Sequence, residues 1–248
     1  VSLPVQLCPA LADARPGVVV RLEGDEAHHA VAVRRTVVGE ELRLVDGRGR
    51  SATGVVVATG KRVLDVEVRD VVDEPRPGPA ITVVQALPKG DRGELAVEVL
   101  TEVGVERIVP WAASRSVAVW RGERAVKSHA KWAATAREAA KQARRAWFPE
   151  VTPLASTAAV AELVAALDLV VVLHEEARAA LGGLVVPDAP GASIGVVVGP
   201  EGGLAPEEVA AFEAAGATTV RLGAEVLRTS TAGLAAVAAL LARTSRWG

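Results

Sequence analysis

The sequence predicts an α/β protein, a mostly parallel sheet with helices on both faces, preceded by a small β-rich module. Three observations lead there. From Ala80 onward, apolar β-branched runs alternate with helical patterns, the order of strand–helix–strand units. Before that, short runs at 18–22, 42–46, 55–57 and 64–68 are separated by turn signals, the spacing of a small barrel. Between them lies Pro75-Arg76-Pro77-Gly78-Pro79, which continues neither a helix nor a central strand. The expected domains are 1–74 and 80–248.

In the first module Asp25 can cap a helix over 25–35, and Asp46-Gly47 is a hairpin turn signal. In the second, Ile81 to Ala86 reads as a buried strand, Leu87 to Arg92 as a turn, and 94–103 as a helix. A short strand at 107–110 precedes a long helix over 123–147. That helix carries Trp132, Ala136, Ala139, Ala140, Ala143 and Trp147 at helical spacing, with Pro149 just beyond its end. Strands at 169–173, 194–198 and 218–222 and helices at 158–167, 206–214 and 231–246 complete the pattern. There is no internal repeat.

Bulk properties exclude several classes. Half the chain is apolar, enough for a sizeable core, yet no run approaches the ~18 uninterrupted apolar residues of a membrane span. The N-terminus, with Pro4, Pro9 and Asp13, lacks a basic-then-apolar leader. A single cysteine, Cys8, rules out an internal disulfide and fits a reducing cytosol, so a cytoplasmic location is expected. No Cys/His cluster has zinc spacing, and no metal is expected. The net charge of −2 does not describe a generally basic nucleic-acid binder. From Arg115 to Trp147, however, nine basic residues face two acidic ones, an excess suited to phosphate. The first module has ten basic and twelve acidic residues in 1–74, which points to positioning by a few arginines.

Common catalytic signatures are missing: there is no phosphate-binding Gly-x-x-x-x-Gly-Lys-Ser/Thr loop and no dinucleotide Gly-x-Gly-x-x-Gly after a strand. Gly191-Ala192-Ser193-Ile194-Gly195 matches the letters of a hydrolase elbow, but it precedes a strand instead of turning from one into a helix. Two other turns are more informative. Gly199-Pro200-Glu201-Gly202-Gly203 follows an apolar strand and leads into a helix opened by Pro206. Leu222 to Ala232 repeats the arrangement. Each alone reads first as a tight turn with ordinary capping. Together, after a third strand ending at Leu173-His174-Glu175, they would frame one pocket at strand carboxyl ends.

Gln85-Ala86-Leu87-Pro88-Lys89-Gly90-Asp91-Arg92, Val198 to Gly203 and the run Leu222-Gly223-x-x-Val226-Leu227-Arg228-Thr229-x-Thr231-Ala232 form an ordered set. This set resembles the bacterial small-subunit (16S) ribosomal RNA methyltransferases that modify uridine at N3, members of the SPOUT, or trefoil-knotted, class. The resemblance runs along nearly the whole chain and includes a PUA-like RNA-binding barrel at the N-terminus. It implies a knotted, SPOUT-like sheet with S-adenosylmethionine held by three loops. Mapped here, they supply Leu173, His174 and Glu175; Gly199, Pro200, Glu201, Gly202 and Gly203; and Leu222, Gly223, Val226, Leu227, Thr229, Thr231 and Ala232. Arg228 is the first candidate to stabilise negative charge on the uracil oxygens. Glu201 can orient the base, accept a proton or bond turn amides. Arg34, Arg35, Lys89, Arg92, Arg115, Arg121, Arg144 and Arg145 are the candidate RNA contacts. The resemblance also implies 16S rRNA or the small ribosomal subunit as partner, and a homodimer. Relatives often carry Glu where this chain has Lys141, so a role for that carboxylate is not expected here. Two other readings stay open: a non-catalytic ribosome-assembly factor with the same fold, and an enzyme acting on another RNA or on a ribose 2′-hydroxyl.

Overall fold

The computed structural model describes residues 3–248. They fall into two units, one holding the chain through Arg76 together with Ala140–Phe148, the other Pro77–Ala139 together with Pro149–Gly248.

The first unit is built on β1 (Val5–Leu7), β2 (Val19–Glu23), α1 (Gly24–His28), β3 (Glu41–Val45), β4 (Arg50–Gly60) and β5 (Val63–Asp73). They form one curled mixed sheet in the order β1-β3-β4-β5-β2, antiparallel except for β1 beside β3. Alternation along the strands sends Leu22, Leu42, Leu44, Leu64 and Val66 to a common core. Register shifts in β4 at Thr53/Gly54 and Val56/Ala58 bend this long strand around that core. The helix expected over 25–35 is shorter: α1 passes into a π turn at His29–Val33, with Arg34 N–H donating to His29 O.

The second unit holds β6 (Ala80–Ala86), α2 (Arg92–Glu102), β7 (Arg107–Trp111), most of α3 (Gly122–Gln142), β8 (Glu150–Val151), α4 (Thr157–Ala165), β9 (Leu169–Leu173), β10 (Ala179–Ala180), β11 (Ser193–Val198), α5 (Pro206–Ala214), β12 (Thr218–Arg221) and α6 (Thr229–Leu241). Its seven strands are all parallel, in the order β10-β12-β9-β11-β6-β7-β8. Both faces are covered. Ile81, Val83, Ile194, Val196 and Val198 pack with Leu100 of α2, Trp132 of α3 and Leu240 of α6. Val84, Ala86 and Val197 pack on the other face with Val164 of α4 and Phe212 of α5. This is the α/β class that the strand–helix alternation predicts. Because the strands are parallel, all their carboxyl ends share one edge. From β12, beyond β9, the chain returns as α6 against α2, β11 and β6.

Ala140–Phe148 belongs to the first unit, which the expected 80–248 span does not anticipate. The helix expected over 123–147 stops at Gln142. Arg144 adopts a left-handed φ of 56°, while Arg144 N–H bonds to Lys141 O at 3.1 Å and Arg145 N–H to Ala140 O at 2.9 Å, the paired closure of a Schellman end. The apolar stripe therefore ends before Trp147. That indole instead lies against Gly49, where a Cβ would stand 2.5 Å from the ring, and donates to Glu74 O at 2.9 Å. Lys141 is buried and meets Glu26 at 2.9 and 3.1 Å, in place of a solvated helix face.

Candidate active site

The carboxyl ends of β9, β11 and β12 open on a cleft of about 720 Å³, within the ~300–1,000 Å³ of small-molecule sites. All three predicted loops line it. Leu173, His174 and Glu175 come from the first; Gly199, Pro200, Glu201, Gly202 and Gly203 from the second; Leu222, Gly223, Val226, Leu227, Arg228, Thr229 and Ala232 from the third. Of the residues expected to hold the cofactor, Thr231 alone does not line the cleft, and its hydroxyl donates to Arg228 O at 3.3 Å at the start of α6.

The loops are cross-tied. Gln85, fully buried at the end of β6, donates to the Thr229 hydroxyl at 3.0 Å, which in turn donates to Gly199 O at 2.8 Å. That chain fixes the glycine turn against the start of α6. The turn closes through Gly203 N–H to Pro200 O at 2.9 Å. A side chain at Gly202 would crowd the Arg115 backbone at 3.2 Å, and Arg115 Nη1 donates to Gly202 O at 3.4 Å. Glu201 accepts from Lys89 N–H at 3.1 Å and from Arg92 Nη1 at 3.2 Å. Glu208, buried in the first turn of α5, accepts from Ser114 N–H at 2.7 Å, from Ala205 N–H at 3.1 Å and from the Thr157 hydroxyl at 3.4 Å. It ties the loop after β7 to α4 and α5.

The third loop is different. Among the described residues, Leu222 to Leu227 make no main-chain hydrogen bond within the chain. These residues line the cleft, and Val226 and Leu227 are exposed apolar side chains. Unengaged main-chain donors and acceptors beside exposed apolar groups fit the edge and faces of an adenine ring. So the residues present suit an adenosine-bearing cofactor. The Arg228 side chain is exposed at the cleft, and its guanidinium has no hydrogen-bond or ion-pair partner among the described residues.

The basic candidates divide between the two units. Arg92 and Arg115 line the cleft. Lys89 contributes its backbone to Glu201 and leaves its ammonium exposed, and Arg121 is exposed just before α3. In the first unit, Arg34, Arg35 and Arg144 are exposed, while Arg145 is half-buried. Ala224 and Glu225, inside the predicted Leu222–Ala232 loop, also line the cleft, as do Glu176, Leu204, Pro206 and Arg221 beside the predicted loops. Gln85 had a signal: one amide side chain inside an otherwise apolar strand. No group of three His, Cys, Asp or Glu side chains able to hold a metal occurs among the described residues.

Residues 75–241 match the model of an RNA methyltransferase domain. The chain belongs to the RNA methyltransferase family. Residues 22–69 match the family's RNA methyltransferase PUA domain. Ribosomal RNA small subunit methyltransferase E of Mycobacterium bovis is 47% identical over 235 residues, covering 93% of this chain and 89% of that one. The Bacillus subtilis protein of the same name is 31% identical over 229 residues, covering 90% of each. Among solved structures, ribosomal RNA small subunit methyltransferase E of Neisseria gonorrhoeae bound to S-adenosyl methionine superposes with a TM-score of 0.86 at 27% identity, covering 98% of each chain. A methyltransferase of Legionella pneumophila with bound cofactor SAM also gives 0.86, at 26% identity, covering 98% of this chain and 99% of that one.

Proposed function

We propose that this methyltransferase moves the methyl group of S-adenosylmethionine to N3 of a uridine in 16S ribosomal RNA. The observation that carries this reading is the convergence of three strand-end loops on one cleft, with unengaged main-chain groups at Leu222 to Leu227 and the unpartnered Arg228 guanidinium beside them among the described residues. When bound, the cofactor would supply an activated methyl for N3, with its thioether as the leaving group and the N3 proton passing to solvent. The chain's own residues hold and orient. Main-chain groups of the third loop would hold the adenine, with Leu173, Leu222 and Leu227 as its apolar contacts, and His174, Glu175 and the turn at Gly199 to Gly203 would line the rest of the site. The Arg228 guanidinium offsets charge that develops on the uracil oxygens as the proton leaves. Positioning supplies much of the rate because the donor is already reactive.

A uridine in folded RNA must be splayed out to reach this cleft. Lys89, Arg92, Arg115 and Arg121 on one unit, and Arg34, Arg35, Arg144 and Arg145 on the other, are the phosphate contacts in this reading. A homodimer is part of the proposal. It is supported by α6, which carries no charged residue and places Leu234, Ala235 and Ala239 away from full burial. A cytoplasmic site of action follows from the rRNA substrate, and no helix is long and apolar enough to cross a membrane among the described residues.

The test is methyl transfer to purified 16S rRNA and to small subunits, with nucleoside digestion and mass analysis. The expected product is 3-methyluridine. Arg228→Ala should lower turnover by roughly 10²–10³ while S-adenosylmethionine affinity by calorimetry stays close to wild type. A 2′-O-methyl product would move the chemistry to ribose, and tight cofactor binding without any transfer would leave an assembly factor.

A further inference from the structure

Glu201 stands in the Pro200–Gly203 turn, and its carboxylate is engaged by the Lys89–Arg92 loop. Oε1 receives Lys89 N–H at 3.1 Å and Arg92 Nη1 at 3.2 Å, and Oε2 lies 3.4 Å from the same amide. Reach is set by the sheet. β6 and β11 are neighbours with Val198 opposite Gln85, so the loops that leave their ends run side by side. The opposite flank of the turn is met by Arg115, which would crowd a side chain at Gly202 at 3.2 Å and donates to Gly202 O. The glycine turn is thus clamped from both sides, and Glu201 is the clamp on the side of the Lys89–Arg92 loop.

We infer that Glu201 is a positioning residue that holds the Lys89–Arg92 loop in the shape that receives RNA, and is not the acceptor of the uridine proton. The inference rests on the RNA-methylating reading above and deepens it. Oε1 holds an amide and a guanidinium and Oε2 faces the same amide at 3.4 Å, so taking the uridine proton would weaken the charge-assisted contacts that hold the loop. Fixing Lys89 N–H orders the loop that carries the exposed Lys89 ammonium, and the contact to Arg92 fixes a guanidinium at the first residue of α2. Arg92 lines the cleft, and Lys89 is exposed three residues before it on the same loop, where a phosphate backbone entering the cleft would pass. The carboxylate therefore acts on RNA through that loop.

The test compares wild type, Glu201→Ala and Glu201→Gln in steady-state methylation of 16S rRNA, with KM for RNA, KM for S-adenosylmethionine and kcat measured across pH. Glu201→Ala should raise KM for RNA about tenfold with a much smaller change in kcat. Glu201→Gln keeps a carbonyl to accept Lys89 N–H and should recover most of that loss, with the pH profile of kcat unmoved. Arg92→Ala combined with Glu201→Ala should cost less than the product of the single effects, because the two share one contact. A kcat that collapses equally in Glu201→Ala and Glu201→Gln, with the loss of an ionisation from the pH profile, would make Glu201 the proton acceptor and overturn the inference. Unchanged kinetics in both variants would overturn it as well. Failure of wild type to methylate RNA would instead sink the reading on which it rests. Thermal melting of each variant separates these results from misfolding.

Discussion

The hydroxyl of Thr229 donates to the carbonyl of Gly199 at 2.8 Å, and so fastens the first residue of α6 to the turn that leaves β11. The same oxygen accepts from Gln85, which has no exposed surface. Thr229→Val keeps the shape and removes both bonds, leaving a buried amide N–H with one partner fewer. The expected cost is about 1–3 kcal/mol, read by urea denaturation. Weaker S-adenosylmethionine binding by calorimetry should accompany it. A variant with unaltered stability and affinity would show that this chain of bonds does not hold the cleft.

Arg144 occupies a left-handed backbone conformation at the end of α3 that glycine adopts without steric penalty. Arg144→Gly is expected to stabilise the protein by about 0.5–1 kcal/mol, seen as a higher urea midpoint with an unchanged slope. A lower midpoint would mean that the Arg144 side chain holds the chain end more firmly than the backbone conformation strains it.

Lys141 and Glu26 form a largely buried pair, with side-chain exposures of 7% and 19%, and Glu26 also receives Leu7 N–H at 2.9 Å. Lys141→Ala should cost about 3 kcal/mol, because it leaves a poorly solvated carboxylate without its cation. Lys141→Ala with Glu26→Gln should cost less than Lys141→Ala alone. Unfolding curves of the two variants check this, and equal losses would show that the pair contributes no coupling.

The Asp168 carboxyl is held below its ordinary value, first by the Ser193 hydroxyl at 2.7 Å and then by Ser193 N–H at 2.8 Å. A carboxyl whose folded value is lowered binds protons more readily when unfolded. Its contribution is therefore complete above the ordinary carboxylate range and is lost as pH falls through the lowered folded value. Ser193→Ala removes the larger of the two causes. Stability measured from neutral pH downward should then fall less steeply in the acid limb than in wild type. A parallel acid limb would show that this contact carries no linkage.

Local pattern was sufficient where local chemistry decides structure. The apolar runs of β6, β9 and β11 and the glycine turns that follow β11 and β12 are readable because burial on both faces and main-chain freedom leave a mark in residue type. The end of α3 was not readable. Trp147 keeps helical spacing with Trp132, and Arg144 stands where glycine would announce the stop. The return of Ala140–Phe148 to the first unit rests on contacts from Trp147 to Gly49 and Glu74, far apart in sequence. Glu208 reads as an acid placed for the helix dipole, and only the fold reveals that its carboxylate gathers Ser114 and Thr157. The short strands β8 and β10 carry no periodicity at two residues each. Glu201 was legible as a site residue, but its bonds to Lys89 and Arg92 depend on β6 and β11 being neighbours, which no single segment encodes.

The central claim is that main-chain groups of Leu222 to Leu227, together with the loops at Leu173 and Gly199, hold the methyl donor. Crystals soaked with S-adenosylmethionine test it most directly. The expected electron density places the adenine against the main chain of Leu222 to Leu227, with the methyl group open to the side where Arg228 stands. Density at another place on the chain, or a cleft that stays empty at saturating cofactor, would contradict it.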